Sequence, residues 1–322
     1  MSATLALAGD TMLGRGVAEA LSEDPARPLV SGELAAHLAS AALTVLNLEC
    51  CISDRGSPFA DPRKPFFFRA PPVAAECLAE LGVDAVTLAN NHALDYGPVA
   101  LLDTVRHLHS AGIAALGAGA DEARARESLT LRCGELALRI VAFSDHPAAY
   151  AAGPDRPGIA FADLRAGVPD WVCAAAAAGA GADGVLVTPH WGPNMLAEPL
   201  EHIRTAADAL LAAGATLVAG HSAHIFQGVA PRVLFDLGDF VDDYAVDREL
   251  RNDLGLLWLV QLGRDGPGAI TAIPLALDYC FTRVASAQEA AWVAQRLREL
   301  CAPFGTAVEM RDRLIEVRTA TG

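Results

Sequence analysis

The chain has 322 residues, 52% of them hydrophobic, and 39 acidic against 24 basic side chains give a formal net charge of -15. That surplus of carboxylates excludes nucleic acid as a general partner, because phosphate backbones are held by clustered Lys and Arg. Seven scattered cysteines, odd in number and without a C-x-x-C pair, exclude a disulfide framework and point to a reducing compartment.

Residues 1–8 are apolar, but they lack a basic start and run straight into Asp10, so they read as a strand and not as a secretory signal. No run approaches the roughly 18 apolar residues of a membrane span. A cytoplasmic protein without a membrane partner is expected, and no pattern specifies its oligomeric state.

In chain order, residues 4–8 form a first strand, which ends at Gly9-Asp10, with Arg15 in the loop beyond. Residues 17–21 and 33–42 are helical, and 43–48 is a second buried strand ending at Glu49. Residues 53–65 carry Pro58, Pro62, Pro65 and Gly56 and form an exposed loop, placed after Glu49 where a lid would be. A short strand is expected over 66–68. Residues 72–81 form a helix with Pro at its start and Gly82 after its end. Residues 85–89 form a third strand, 99–111 a helix and 113–116 a strand. Residues 129–133 and 136–143 pair as a hairpin around Gly134-Glu135. The Pro- and Gly-rich stretch 147–169 is irregular, and 170–178 is helical. Residues 184–188 are a strand leading to His190, 199–213 a helix, and 215–219 a strand leading to His221. Residues 232–237 are a strand ending at Gly238-Asp239. Residues 256–261 and 269–277 form a late hairpin. Residues 287–300 form a helix behind the capping-box pair Ser286 and Glu289.

Strands alternate with helices, so the class is α/β with a mixed sheet or two sheets, and one domain over 1–322 is expected. Ligands of open α/β folds sit beyond the carboxyl ends of strands. Five such ends carry ligand-type residues: Gly9-Asp10, Asn47-Leu48-Glu49, Asn90-Asn91-His92, His190-Trp191-Gly192 and Gly220-His221-Ser222-Ala223-His224. Taken singly, each has a plainer reading as a turn, an exposed strand end or a satisfied histidine. Their co-occurrence in one chain points to a metal site, since Asp, Glu, Asn and His are oxygen and nitrogen donors for divalent ions. Cys50 and Cys51, beside Glu49, read as packing. His37, His107, His109, His146 and His202 read as surface or helix-face residues. Gly14-Arg15-Gly16 opens no dinucleotide fingerprint, which argues against a cofactor-binding Rossmann enzyme.

With Leu88 to Gly97, a stretch that contains Asp95, and with Leu237-Gly238-Asp239-Phe240, these motifs resemble the bacterial CapA family, associated with poly-γ-glutamate capsule synthesis. The likeness runs in order over residues 4–260, with the hairpin and helix of 254–322 completing the unit. The resemblance implies a calcineurin-like metallophosphoesterase fold, a four-layer α-β-β-α sandwich, holding one or two divalent ions (Mn, Zn, Fe or Mg). It implies Asp10, Glu49, Asn91, His190, His221 and His224 as metal ligands, His92 with Asp95 as catalytic residues, and Arg15 and Asn90 as substrate-binding residues. Met12 stands where such phosphoesterases place a further His, so one ion site is expected to be a ligand short. Ser222, Asn194 and Asp239 depart from the family pattern as well. The implied function is a metal-dependent hydrolase cleaving a phosphoester or a γ-glutamyl or other amide bond of a small anionic substrate. The alternative is a non-catalytic accessory protein of capsule synthesis.

Overall fold

The computed structural model describes residues 2–177 and 181–319. One sheet has the spatial order Ala307–Arg311, Leu314–Arg318, Gly266–Asp278, Leu254–Gly263, Ser2–Thr11, Leu43–Leu48, Ala85–Thr87, Ala114–Leu116. Asp239–Val241 adds to Ser2–Thr11, and Phe281–Val284 adds to Gly266–Asp278. A second sheet runs Val229–Ala230, Val233–Leu234, Leu217–Ala219, Gly184–His190, Leu136–Ser144, Leu129–Cys133.

Strand periodicity explains why these sheets are covered on both faces. In Ser2–Thr11, Ala6 and Ala8 enter a core with Val17, Leu34, Leu78 and Leu101 of the flanking helices, while Leu5 and Leu7 enter a core shared with Leu138, Ile140, Leu186 and Leu217 of the other sheet. In the second sheet Leu138 and Leu186 face the first sheet, whereas Val141, Val185 and Val187 face Val172, Ile203 and Leu210 of the helices Asp170–Ala176 and Glu201–Ala213. Alternate residues therefore serve alternate layers, and the result is an α-β-β-α sandwich. Each Leu or Val so placed adds roughly 1.5–3 kcal/mol over an exposed position. The helix Ala287–Cys301 starts at the expected Ser286–Glu289 capping box and sends Val293, Leu297 and Leu300 into the layer between the sheets.

Several expected boundaries move. The first strand runs on through Gly9-Asp10 to Thr11, because Asp239–Val241 pairs beside it. Arg15 opens the helix Arg15–Glu23 instead of lying in a loop. Residues 66–68 are not a strand: the pairing lies one step on, between Arg69–Ala70 and Cys51–Ile52, and Phe68 is packed on His92 instead. The expected strand 232–237 is only Val233–Leu234, and the hairpin of Ala307–Arg311 with Leu314–Arg318 was not anticipated. The helix expected over 170–178 ends at Ala176, and Ala178 lies outside the described residues. Among the described residues no helix is long and apolar enough to cross a membrane.

Candidate metal centre

Parallel pairing brings the strand ends together. Asp10 stands in register with Asn47 on one side and Asp239 on the other. Gly9 permits that second pairing: a Cβ there would lie 1.8 Å from the Gly238 carbonyl oxygen, which accepts the Asp10 amide at 2.8 Å. Gly220 does the same in the other sheet, where a Cβ would meet the Phe235 carbonyl oxygen at 2.1 Å. His190 and His221 then form a parallel bridge at the edge facing Asp10.

Two buried groups of ligand atoms result, each with all atoms within 4.8 Å of one another: Asp10, Glu49 and His190, and Asp10, His224 and Asp239. Asp10 belongs to both. His190 Nδ1 lies 3.2 Å from Glu49 Oε1, and His224 Nδ1 lies 2.8 Å from Asp239 Oδ1 and 3.5 Å from Asp10 Oδ2. Among the described residues Glu49 Oε2, His190 Nε2, Asp239 Oδ2 and Asn91 Oδ1 are buried without a hydrogen-bond partner. Orphaned polar atoms of this kind are costly and rare. Three of these residues, Glu49, His190 and Asp239, belong to the two groups that share Asp10, and their oxygen and imidazole nitrogen atoms are donors of the kind a divalent cation takes.

The electrostatics say the same. Burial, then the Asp10 charge, pushes Glu49 well above the usual carboxylate range, and burial does the same to Asp239. Burial drives His190 well down. Burial also works to raise Asp10, but the hydrogen bond and charge of His221, with His224 and His190, outweigh it and hold Asp10 low. For His224, burial opposes protonation and the charges of Glu49 and Asp10 overcome it. The carboxylates thus exceed what the imidazoles neutralise, and a bound cation removes that imbalance.

The other residues expected at the site are placed as follows. His221 has both nitrogens engaged, Nδ1 with Asp10 Oδ1 at 3.0 Å and Nε2 with Thr188 Oγ1 at 3.1 Å, so here it orients Asp10 and joins neither ligand group. Asn90 is turned inward: its amide donates to Asn47 Oδ1 and the Leu48 carbonyl and accepts from the His92 amide, which leaves nothing for a substrate. Arg15 is ion-paired with Asp243 and stacked over Phe66, Phe68 and Tyr244, so its charge is not free for an anion. Asp95 is wholly buried and positions other groups. Its Oδ2 lies 2.7 Å from His92 Nδ1 and 2.7 Å from the Phe68 amide, and its Oδ1 lies 3.0 Å from both Tyr150 Oη and Lys64 Nζ. His92 is stacked on Phe68 at 4.2 Å, and burial lowers its pKa despite the Asp95 charge.

Met12 is buried in the core beside Leu13 and Val17, and no imidazole enters the centre from that position. Asp239 stands next to Asp10 instead and offers a carboxylate. His146, expected on the surface, lies 5.1 Å from His190, with its Nδ1 2.5 Å from Asp145 Oδ1. A cavity of about 410 Å³ opens beside Asn91, His92 and His146, and residues Phe59 to Phe66 of the Pro-rich segment form one of its walls.

Solved and curated proteins agree with this architecture. A crystal structure described as a novel phosphatase from Mycoplasma pneumoniae superposes with a TM-score of 0.51 at 13% identity, covering 86% of this chain and 94% of that one, so the two share a fold. A probable polyglutamine synthesis accessory protein of Mycobacterium tuberculosis is 32% identical over 370 aligned positions, spanning 98% of this chain and 95% of the relative. The PGA biosynthesis protein CapA of Bacillus subtilis is 26% identical over 208 positions, covering 63% of this chain and 53% of the relative. The profile of the bacterial capsule synthesis protein PGA_cap matches residues 4–244, most of the chain and every strand end that carries a ligand-type residue, and the chain belongs to that family.

Proposed function

We propose that the chain is a metal-dependent hydrolase cleaving a phosphoester or a γ-glutamyl-type amide of a small anionic substrate. The observation that carries this reading is the pair of buried ligand groups sharing Asp10, with unpartnered atoms on Glu49, His190, Asp239 and Asn91. Those residues, with His224, would hold one or two ions, and Mn, Zn, Fe and Mg all accept such donors. A divalent ion there supplies polarisation of a phosphoryl or carbonyl oxygen and an acidified water.

The chain's own groups do the rest. Asp95 accepts from His92 Nδ1 and fixes the tautomer, so Nε2 is the nitrogen left for proton exchange. In its doubly protonated form His92 acts as general acid, giving the Nε2 proton to the departing oxygen or nitrogen while the Nδ1 proton stays hydrogen-bonded to Asp95. Burial lowers the His92 pKa, which makes its imidazolium a stronger acid but a smaller share of the protein at neutral pH, and the Asp95 charge opposes that depletion. Phe68 holds the ring from one face, and Tyr150 and Lys64 fix Asp95 from behind. Through Asp10, His221 and Thr188 keep the shared carboxylate oriented.

A second reading, a non-catalytic accessory protein of poly-γ-glutamate synthesis, draws on the name of the Mycobacterium tuberculosis relative. The test is turnover of phosphoester and γ-glutamyl substrates by protein loaded with Mn²⁺ or Zn²⁺. Hydrolysis lost in His92→Ala with metal content unchanged supports the enzyme. No turnover in any substrate class by fully loaded protein leaves the accessory reading.

A further inference from the structure

The chamber beside the metal centre has walls of a particular kind. Phe59, Pro65 and Phe66 of the Pro-rich segment face Pro147, Ala149 and Tyr150 across about 410 Å³, and Asn91 and His92 lie at the metal side. Phe59 and Tyr150 meet edge to face at 4.8 Å, a rigid apolar wall. An adjoining cavity shares Asn91, His146 and Asn194 and contributes Arg165.

The cations on these walls are already neutralised. Arg63 lies 3.2 Å from Asp61, Lys64 lies 3.0 Å from Asp95, and Arg165 is paired with Asp163. Asp145 adds a further carboxylate to the adjoining cavity. A chain of carboxylates is attracted by a wall of unpaired positive charge, and on these walls Arg63, Lys64 and Arg165 each already have a carboxylate partner. Positive charge is available at one point, the metal centre, and the chamber next to it offers apolar, ring-sized space.

We infer that the site takes a substrate with a single anionic head, held at the metal centre, and an apolar or aromatic body of ring size seated between the Pro-rich segment and the Pro147–Tyr150 turn. A polyanionic chain does not fit it. This inference rests on the metal-centre reading above and adds the class of the substrate body.

The test uses two non-hydrolysable probes with one head, phenylphosphonate and methylphosphonate, titrated calorimetrically into the Mn²⁺-loaded full chain. Phenylphosphonate should bind roughly tenfold tighter or better. Ala149 is exposed and touches no proposed ligand, so Ala149→Trp fills the chamber from its rim. In that variant the ratio of the two affinities should fall towards one, while the ion count per chain stays that of the unmodified protein and reports a folded centre. Equal affinities in the unmodified protein would overturn the inference, as would a ratio untouched by Ala149→Trp. So would a γ-linked glutamate oligomer that outcompetes phenylphosphonate. Binding of neither phosphonate by metal-loaded protein, or failure to take up any ion, would instead overturn the metal-centre reading on which it rests.

Discussion

The sharing of Asp10 between two ligand groups predicts a graded loss of metal. Asp239→Asn removes a ligand from one group and leaves Asp10, Glu49 and His190 intact; His190→Ala does the reverse; Asp10→Asn damages both. With 322 residues and about 2.1 cal/mol/K of unfolding entropy per residue, the chain carries about 0.7 kcal/mol/K at its midpoint. One ion held at a free concentration of 100 times its Kd adds about 2.7 kcal/mol, which is about 4 °C in Tm. Two ions should therefore raise Tm by about 8 °C over the chelated protein, Asp239→Asn and His190→Ala by about 4 °C, and Asp10→Asn by almost nothing. Elemental analysis after dialysis should give counts near two, one, one and zero. His221→Ala, whose nitrogens bond to Asp10 and Thr188, should keep the count and weaken affinity by roughly 10–100-fold. The reasoning fails if Asp10→Asn retains an ion, or if His221→Ala empties a site that Asp239→Asn leaves filled.

Three other outcomes follow from local geometry. His92→Gln should lower turnover by roughly 10²–10⁴-fold with the ion count unchanged, measured on whichever substrate class the screen returns. Burial pushes the Cys51 thiol up to about 12 and raises Cys50 further, and Cys173 is the one cysteine not buried, so a thiol reagent at pH 8 should label about one site in native protein and seven after denaturation. The Arg283 guanidinium, with burial opposing, holds Glu289 down at about 2 against an ordinary 4.5. Because the folded value is the lower one, this carboxylate stabilises above pH 4.5 and the contribution disappears as the pH falls towards 2. Glu289→Gln should thus lower Tm at pH 7 by about 1–2 °C, the worth of a cap of about 1 kcal/mol, and lose that effect near pH 2; a loss independent of pH would contradict it.

The sequence announced the centre because parallel strands deliver polar residues to one edge, and Asp10, Glu49, His190 and His224 each follow an apolar run. What it concealed was pairing across distance. Arg15 looks free until Asp243 meets it from 228 residues away, and Asn90 looks open until Asn47 takes its amide. His146 carried the same signal as the others, since Asp145-His146 directly follows a strand that ends at Ser144, but the prolines after it disguised that end as the start of a loop. The aromatic run 66–68 has strand composition, yet the Phe68 amide donates to Asp95 instead of to a ladder.

Met12 and Asp239 illustrate the limit best, because the chain order separates two residues that both bear on Asp10 and its neighbours. Read along the chain, Met12 leaves an ion site short of an imidazole, and Asp239 is an unrelated oddity 227 residues later. In the folded chain Asp239 is the register partner of Asp10 on the neighbouring strand and brings a carboxylate into one of the two ligand groups. Each ligand group has two carboxylates and one imidazole. Sets of carboxylate and imidazole donors accept several divalent ions. Asp239→Asn, which keeps the shape and removes the charge, therefore separates a centre in which Asp239 makes up for Met12 from one left a ligand short: loss of one ion per chain in the variant supports the first, and an unchanged count refutes it.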